Sequence, residues 1–260
     1  MEAFLEARSV RIRYRTEGHG EPVLLLHGWG ANLDSFRQVF DDLATTYQVT
    51  AIDFPGHGGS GLPPTPWSVS DFTDCLLDIM DQLHLDRPSI IAHSFGGRVS
   101  IKLAAAQPHR LNRLILVDAA GVPTPRSLKF KLKVAFAKIA KAVAPFLGPL
   151  GTALKARVYA AVQSKDYAAA GPLRETFVKV IHEDLTPYLP KIQSPTLLIW
   201  GENDHDTPVS SAETMNRLIP NSDLVVLKDA GHFSYIDQFS LFRLRVRKFL
   251  FTAPPSEPAA

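Results

Sequence analysis

The sequence has few of the features that mark disulfide-bonded, secreted or membrane-spanning proteins. Cys75 is the only cysteine in 260 residues, so the chain has no internal disulfide and no thiolate metal site. It lies on the apolar face of a predicted helix, as a small core residue would. No segment approaches the roughly 20 uncharged apolar residues of a membrane span. Residues 1–6 lack the basic and then apolar start of a secretory signal, and we therefore expect a cytoplasmic protein.

Acidic residues are missing from one long segment. None occurs between Ala119 and Lys165, and residues 121–190 carry eleven Lys and Arg against four Asp and Glu. That segment has a net charge of +7, whereas the rest of the chain has −5. Such charges commonly keep an amphipathic helix in water, but they would also attract an acidic carrier protein or a membrane surface. Aromatic residues do not interleave with the basic ones as a base-stacking platform, so we expect no nucleic acid partner.

Strand-like and helical patterns alternate through most of the chain. Short apolar runs predict strands that are covered on both faces, as in a parallel sheet. These runs lie at 23–26, 49–52, 90–92, 113–117, 195–200 and 224–227. Helical spacing lies at about 32–46, 70–83, 95–106 and 240–251, and two edge strands precede the first run, at 2–7 and 9–15. The alternation predicts an α/β fold with a mostly parallel, doubly wound sheet, whose site lies at the carboxyl ends of the strands.

The alternation stops after Asp118. Residues 121–190 keep helical spacing, as at Leu128, Leu132 and Phe136, but contain no convincing strand. We therefore predict a core formed by residues 1–120 and 191–252, interrupted by an all-helical insertion at 121–190. The Pro-rich end at 253–260 is predicted to be a flexible tail.

A serine lies at the junction of a predicted strand and a predicted helix. Residues 90–97 read IIAHSFGG, with Ser94 at the turn. A turn this tight strains the serine backbone and pushes its hydroxyl outward. Ala92 and Gly96, two residues to either side, are small, as the close approach of strand and helix requires. Ser94 is therefore a candidate nucleophile.

Two further polar residues follow buried strands. Asp204 comes after the strand at 195–200, and His232 comes after the strand at 224–227. Because parallel strands end at one edge of the sheet, we expect Ser94, Asp204 and His232 to meet there. An imidazole that accepts the serine proton makes the hydroxyl a nucleophile, and a buried carboxylate fixes the imidazole tautomer. Asp206 and Asp118 are alternatives to Asp204, since either could end a strand near His232.

The turn after the first parallel strand, residues 27–30 (HGWG), predicts a site for an oxyanion. An oxyanion needs at least two preorganised donors, and the backbone amides of Trp29 and Phe95 are the candidates. We expect His27 to brace this turn and His93 to pack beside the serine. The histidines show no His-x-x-x-His or similar helical pair, so we expect no zinc site.

The order Ser94, Asp204, His232, together with the serine turn and the HGWG turn, resembles the α/β-hydrolase superfamily over about residues 8–250. The resemblance implies that Ser94 is the nucleophile, Asp204 the triad acid in a Trp-Gly-x-x-Asp pattern, and His232 the base. Ala92 replaces the first glycine of the family's G-x-S-x-G pattern but keeps the position small. The insertion at 121–190 resembles the family's mobile helical cap. The implied activity is hydrolysis of a small-molecule carboxylic ester through an acyl-enzyme, without a cofactor.

Several activities within this superfamily stay open. Residues 26–30 (LHGWG) also resemble pimeloyl-carrier-protein methyl ester esterases, which use basic cap residues. Carbon–carbon bond hydrolases of vinylogous diketones share the triad and the cap, and Arg174 is the candidate for their cap arginine. Their Gly-Pro-Gly type of turn is absent here. A non-catalytic ligand-binding protein on the same fold is the remaining alternative.

Overall fold

A computed structural model describes residues 2–123 and 169–251. The chain divides into two compact units, one formed by Met1–Pro123 with Glu175–Ala260 and the other by Thr124–Arg174. Most of the predicted helical cap and the predicted tail at 253–260 lie outside the described residues. Residues 175–190 belong to the first unit, which also holds the sheet.

The first unit contains an eight-stranded sheet with the order β1-β2-β4-β3-β5-β6-β7-β8. β2 pairs antiparallel with β1 and β4, and the other neighbouring strands are parallel. The strands are β1 Glu2–Ala7, β2 Val10–Glu17, β3 Pro22–Leu26, β4 Gln48–Ile52, β5 Ser89–His93, β6 Leu114–Val117, β7 Thr196–Gly201 and β8 Ser222–Leu227. The mostly parallel, doubly wound α/β sheet predicted from the sequence is confirmed.

Helices connect the parallel strands. The α-helices of the described residues are α1 Arg37–Leu43, α2 Val69–Gln82, α3 Phe95–Ala106, α4 Arg174–His182, α5 Val209–Leu218, α6 Ser234–Asp237 and α7 Phe239–Phe251. Short 3-10 helices lie at Leu33–Phe36, Pro108–Arg110, Gly171–Leu173 and Thr186–Lys191. Among these described helices, none is long and apolar enough to cross a membrane.

The helix predicted at about 32–46 is shorter and less regular than the sequence suggests. Its first turn, Leu33–Phe36, is a 3-10 helix, and α1 ends at Leu43. The Asn32 side chain accepts from the Asp34 amide at 2.9 Å. Asp53 Oδ1 accepts from the Leu33 amide at 2.6 Å. These two side chains hold the start of the segment in a tight turn.

Apolar side chains fill both faces of the sheet. In β3, Leu24 and Leu26 belong to the layer that contains α2, α3 and α5, whereas Val23 and Leu25 belong to the layer that contains α1 and α7. Successive strand residues point to opposite faces. A strand covered on both faces is therefore apolar at every position, which explains the continuous runs in the sequence.

Gly96 marks the closest approach of α3 to the sheet. A Cβ at this position would lie against the Leu26 carbonyl oxygen and 2.9 Å from the His27 carbonyl oxygen. The Gly96 amide donates to that His27 oxygen at 3.1 Å. The contact ties the serine turn to the end of β3, and a side chain has no room there.

Gly96→Ala is therefore expected to destabilise the protein by about 1–3 kcal/mol, the usual cost of overpacking. Helix propensity alone would favour alanine over glycine by about 1 kcal/mol, so the two effects have opposite signs. Chemical denaturation measures the difference. Ala105→Gly in the same helix is the control for propensity, and an unchanged or higher stability of Gly96→Ala would contradict the close approach.

Candidate active site

Ser94 occupies the turn between β5 and α3 in a strained conformation, with φ 48° and ψ −107°. Positive φ is uncommon for a residue with a side chain. Hydrogen bonds on both sides hold it there: the Ser94 amide donates to Val117 O at 3.1 Å, and its carbonyl accepts from Gly97 and Ala120 at 3.0 Å each. The serine backbone is thus fixed by β6 and by the loop that follows it.

Ser94, His232 and Asp204 form a hydrogen-bonded chain. His232 Nε2 lies 3.0 Å from Ser94 Oγ, and His232 Nδ1 lies 2.9 Å from Asp204 Oδ2. An ionised carboxylate only accepts hydrogen bonds, so Nδ1 carries the ring proton and Nε2 accepts from the serine hydroxyl. This tautomer can take up the hydroxyl proton when the oxygen attacks an electrophile.

Electrostatics favour an ion pair when His232 takes up that proton. Burial opposes the charged imidazolium, but the hydrogen bond to Asp204 and the negative charges of the nearby carboxylates together outweigh it, and the pKa of His232 is raised above its ordinary value. Burial likewise opposes the charged carboxylate, but bonds from His232 and Thr207 outweigh it and lower the pKa of Asp204. Asp204 is therefore ionised near neutral pH, and His232 is more basic than a free imidazole.

Neither alternative acid takes the place of Asp204. Asp118 is buried, and its two carboxylate oxygens accept from the backbone amides of Gly201 at 2.8 Å and Ser234 at 3.0 Å. Burial raises the pKa of Asp118 to about 7. Asp206 is exposed, and its own amide donates to Asp204 Oδ1 at 2.8 Å. His232 Nδ1 faces Asp204 instead.

The turn at residues 27–30 lies directly beside the serine. A Cβ on Gly28 would meet His93 Nδ1 at 2.8 Å and Ser94 Cβ at 3.3 Å. The Trp29 ring packs edge-on against the Phe95 ring, with centroids 5.3 Å apart. Phe95 is the first residue of α3, where a backbone amide has no acceptor within its own helix. The predicted oxyanion turn and the serine are thus neighbours in space.

A sequence model described as "Alpha/beta hydrolase family" matches residues 23–240, most of the chain. The chain belongs to the α/β hydrolase family. The resemblance inferred from the sequence is therefore confirmed, and the sheet order and the serine turn agree with it.

Relatives of this α/β hydrolase include proteins with and without a named activity. An uncharacterized protein of Mycobacterium tuberculosis is 27% identical over 98% of this chain and 82% of its own length. A pimeloyl-[acyl-carrier protein] methyl ester esterase of Nitrosomonas europaea is 28% identical, over 88% of this chain and 96% of its own. The crystal structure of a bacterial membrane phospholipase A superposes with a TM-score of 0.78, at 25% identity, and covers 96% of this chain and 85% of that one.

Two buried histidines brace this site in the α/β hydrolase. His27 Nδ1 donates to Gly28 O at 2.7 Å, and its Nε2 accepts from the Phe54 amide at 3.0 Å. His93 Nε2 donates to the His232 carbonyl oxygen at 2.7 Å. His27 thus braces the HGWG turn, as predicted. His93, predicted only to pack, also holds the backbone of the residue that pairs with Ser94.

Acidification is expected to destabilise the protein because of these histidines. Burial lowers the pKa of both His27 and His93 to about 3, whereas an unfolded histidine titrates near 6.5. The unfolded chain therefore binds more protons between these values, and stability falls by about 1.4 kcal/mol per pH unit for each histidine. Asp118, whose pKa is raised, has the opposite effect. Between about pH 4 and 7 its protonation stabilises the folded protein and offsets the loss from one histidine.

The net expectation is a loss of about 1–2 kcal/mol in the free energy of unfolding between pH 7.5 and pH 5. Urea denaturation at the two pH values measures it. Equal or greater stability at pH 5 would contradict this expectation, because it would mean that His27 and His93 can be protonated in the folded protein at little cost.

A group of possible metal ligands overlaps the hydrogen-bonded chain. Ligand atoms of Asp204, Asp206 and His232 lie within 4.8 Å of one another. His232 Nδ1 and Asp204 Oδ2 are already bonded to each other, and a cation there would break that bond. The geometry favours the serine–histidine–aspartate arrangement over a metal site.

Proposed function

We propose that this α/β hydrolase cleaves carboxylic esters through an acyl-enzyme intermediate. Ser94 is the nucleophile, His232 the general base and then acid, and Asp204 the group that orients and stabilises the imidazolium. The observation that supports the proposal is the continuous chain from Asp204 through His232 to Ser94, with links of 2.9 and 3.0 Å.

The reaction follows from the protonation states in that chain. Ser94 Oγ attacks the ester carbonyl while its proton passes to His232 Nε2. The backbone amides of Trp29 and Phe95 hold the tetrahedral oxyanion. His232 then protonates the departing alcohol. A water molecule repeats the sequence on the acyl-enzyme and releases the acid, so the reaction requires no cofactor.

Aromatic rings beside the serine favour a hydrophobic substrate. Trp29 contacts Phe95, His57 and Phe177, with ring centroids 4.8 to 5.3 Å apart. Aromatic walls of this kind suit an apolar acyl or aryl group. Phe177 belongs to the predicted cap, whereas its other candidate aromatic residues, Phe130, Phe136, Phe146, Tyr159 and Tyr167, lie outside the described residues.

A carrier-bound ester is the second candidate substrate. The esterase of Nitrosomonas europaea acts, by its name, on the methyl ester of a pimeloyl-[acyl-carrier protein]. In this chain the segment 121–190 carries a net charge of +7 and the rest −5. Opposite charges on two proteins accelerate their encounter, and repulsion between like charges disfavours other partners. A basic segment would thus select an acidic carrier over a neutral one.

A panel of substrates tests the proposal. p-Nitrophenyl esters of rising chain length are compared with a methyl ester on acyl carrier protein and with a vinylogous diketone. Hydrolysis of the esters and covalent labelling of Ser94 by a fluorophosphonate are the expected results. Turnover of the diketone alone would assign carbon–carbon cleavage. Absence of both turnover and labelling would favour a ligand-binding protein.

A further inference from the structure

Thr207 lies in the loop between β7 and α5, three residues after Asp204. It is nearly buried, with 9% of its surface exposed. Its backbone amide donates to Asp204 Oδ1 at 2.9 Å, and its hydroxyl oxygen lies 2.6 Å from Asp204 Oδ2. One residue therefore contacts both oxygens of the carboxylate.

The single hydroxyl proton of Thr207 has two acceptors within reach. They are Asp204 Oδ2 at 2.6 Å and the Asp118 carbonyl oxygen at 3.0 Å. Two oxygens at 2.6 Å need a proton between them, and the ionised Asp204 has none to give. The Thr207 hydroxyl consequently donates to Asp204 Oδ2.

Asp204 Oδ2 is also the oxygen that accepts from His232 Nδ1. Thr207 Oγ1 lies 3.4 Å from that nitrogen, so the hydroxyl, the carboxylate oxygen and the imidazole form a tight triangle. A second donor on one carboxylate oxygen fixes the direction of its lone pairs. It also draws off part of the negative charge that His232 experiences.

We propose that Thr207 is a positioning residue of the active site: its hydroxyl orients the Asp204 carboxylate toward His232 and shares the charge on Oδ2. The inference rests on the proposed function, since it assumes that His232 acts as the base. Without the hydroxyl, Oδ2 attracts the imidazolium more strongly, and His232 stays protonated to a higher pH. The Thr207 backbone amide still holds Oδ1, so the carboxylate stays beside the imidazole, but its Oδ2 is less precisely oriented.

Thr207→Val and Thr207→Ser are the matched test. Valine keeps the branched shape and removes the hydroxyl, whereas serine keeps the hydroxyl and removes only the methyl group. In Thr207→Val, we expect the acidic limb of the kcat/KM profile to move up by about half a pH unit or more. The plateau should fall about tenfold or more because the base is less well held. Thr207→Ser should resemble the wild type.

Other ionisable groups near His232 do not differ among these variants. They are Asp118, Asp206 and His93. Thermal melting checks that each variant folds, and Thr207→Ala replaces Thr207→Val should the valine not be accommodated.

Two results would overturn the inference: an acidic limb that is unshifted or moved to lower pH, or equal impairment of Thr207→Ser. Ser94→Ala in the same assay separates this failure from failure of the proposed function. If Ser94→Ala is inactive but Thr207→Val behaves as the wild type, only the role of Thr207 is lost. If Ser94→Ala is fully active, the proposed function itself is wrong.

Discussion

Ser94→Ala is expected to lower kcat for ester hydrolysis by about 10⁴- to 10⁶-fold, the range seen when a triad nucleophile is removed. The methyl group leaves His232 Nε2 with no hydroxyl proton to accept and the substrate with no nucleophile. Alanine can occupy the same backbone turn, because the bonds that hold it there come from the main chain of residue 94. We therefore expect the free energy of unfolding to change by only about 0.5 kcal/mol.

Ser100→Ala is the matched control for this variant. Ser100 lies on the same helix, is buried, and donates to Gly96 O at 2.8 Å, so it also loses a hydroxyl hydrogen bond. Its activity should stay close to that of the wild type, with a modest loss of stability of about 1 kcal/mol. Near-normal turnover by Ser94→Ala, with Ser100→Ala unaffected, would remove Ser94 from the mechanism.

The sheet could be predicted from the sequence because burial on both faces leaves a simple signal. Each of the parallel strands β3 to β7 is a short, mostly apolar run. The helical spacing of the segments between these runs predicts the connecting helices. The start of α1 could not be predicted. Its 3-10 turn depends on Asp53, twenty residues away, which accepts from the Leu33 amide. The apolar pattern of residues 209–218 predicts no helix, since α5 buries only a few small or flexible side chains, among them Ala212 and Met215.

Ser94, Asp204 and His232 were predictable as residues at strand ends, and the structure brings them together. The hydrogen bonds around these residues could not be predicted from the sequence. Thr207 follows the predicted acid as an ordinary loop residue, and no pattern in the sequence indicates that its hydroxyl meets Asp204. The bond of His93 to the His232 carbonyl joins residues 139 positions apart. Such contacts depend on tertiary geometry alone.

The choice between Asp118 and Asp204 shows the same limit. Both follow buried strands, and both are buried. They differ in how their oxygens are used, because Asp118 accepts from two backbone amides and Asp204 Oδ2 accepts from His232. Position at a strand end does not separate the two, and the sequence favours Asp204 only through its Trp-Gly-x-x-Asp pattern. The hydrogen-bond partners distinguish the carboxylate that faces His232 from the one that joins two loops.

Asp204→Asn is expected to lower kcat/KM by about 10⁴-fold, as the loss of a triad carboxylate does elsewhere. An asparagine amide can present an N–H to His232 Nδ1, which then becomes the acceptor and leaves the ring proton on Nε2. That tautomer cannot take the serine proton. The loss should be greatest near neutral pH, where the neutral imidazole is needed as the base.

Asp118→Asn is the matched control, because it makes the same chemical change, a carboxylate replaced by an amide, at a neighbouring buried aspartate. It removes one acceptor for the Gly201 or Ser234 amide, so we expect a loss of stability of about 1–3 kcal/mol. Activity should stay within about tenfold of the wild type, since the ring tautomer of His232 is unchanged. The reverse ranking, with Asp118→Asn inactive and Asp204→Asn active, would mean that Asp118, at the end of β6, is the acid that supports His232. His232 would then have to turn Nδ1 away from Asp204 during turnover.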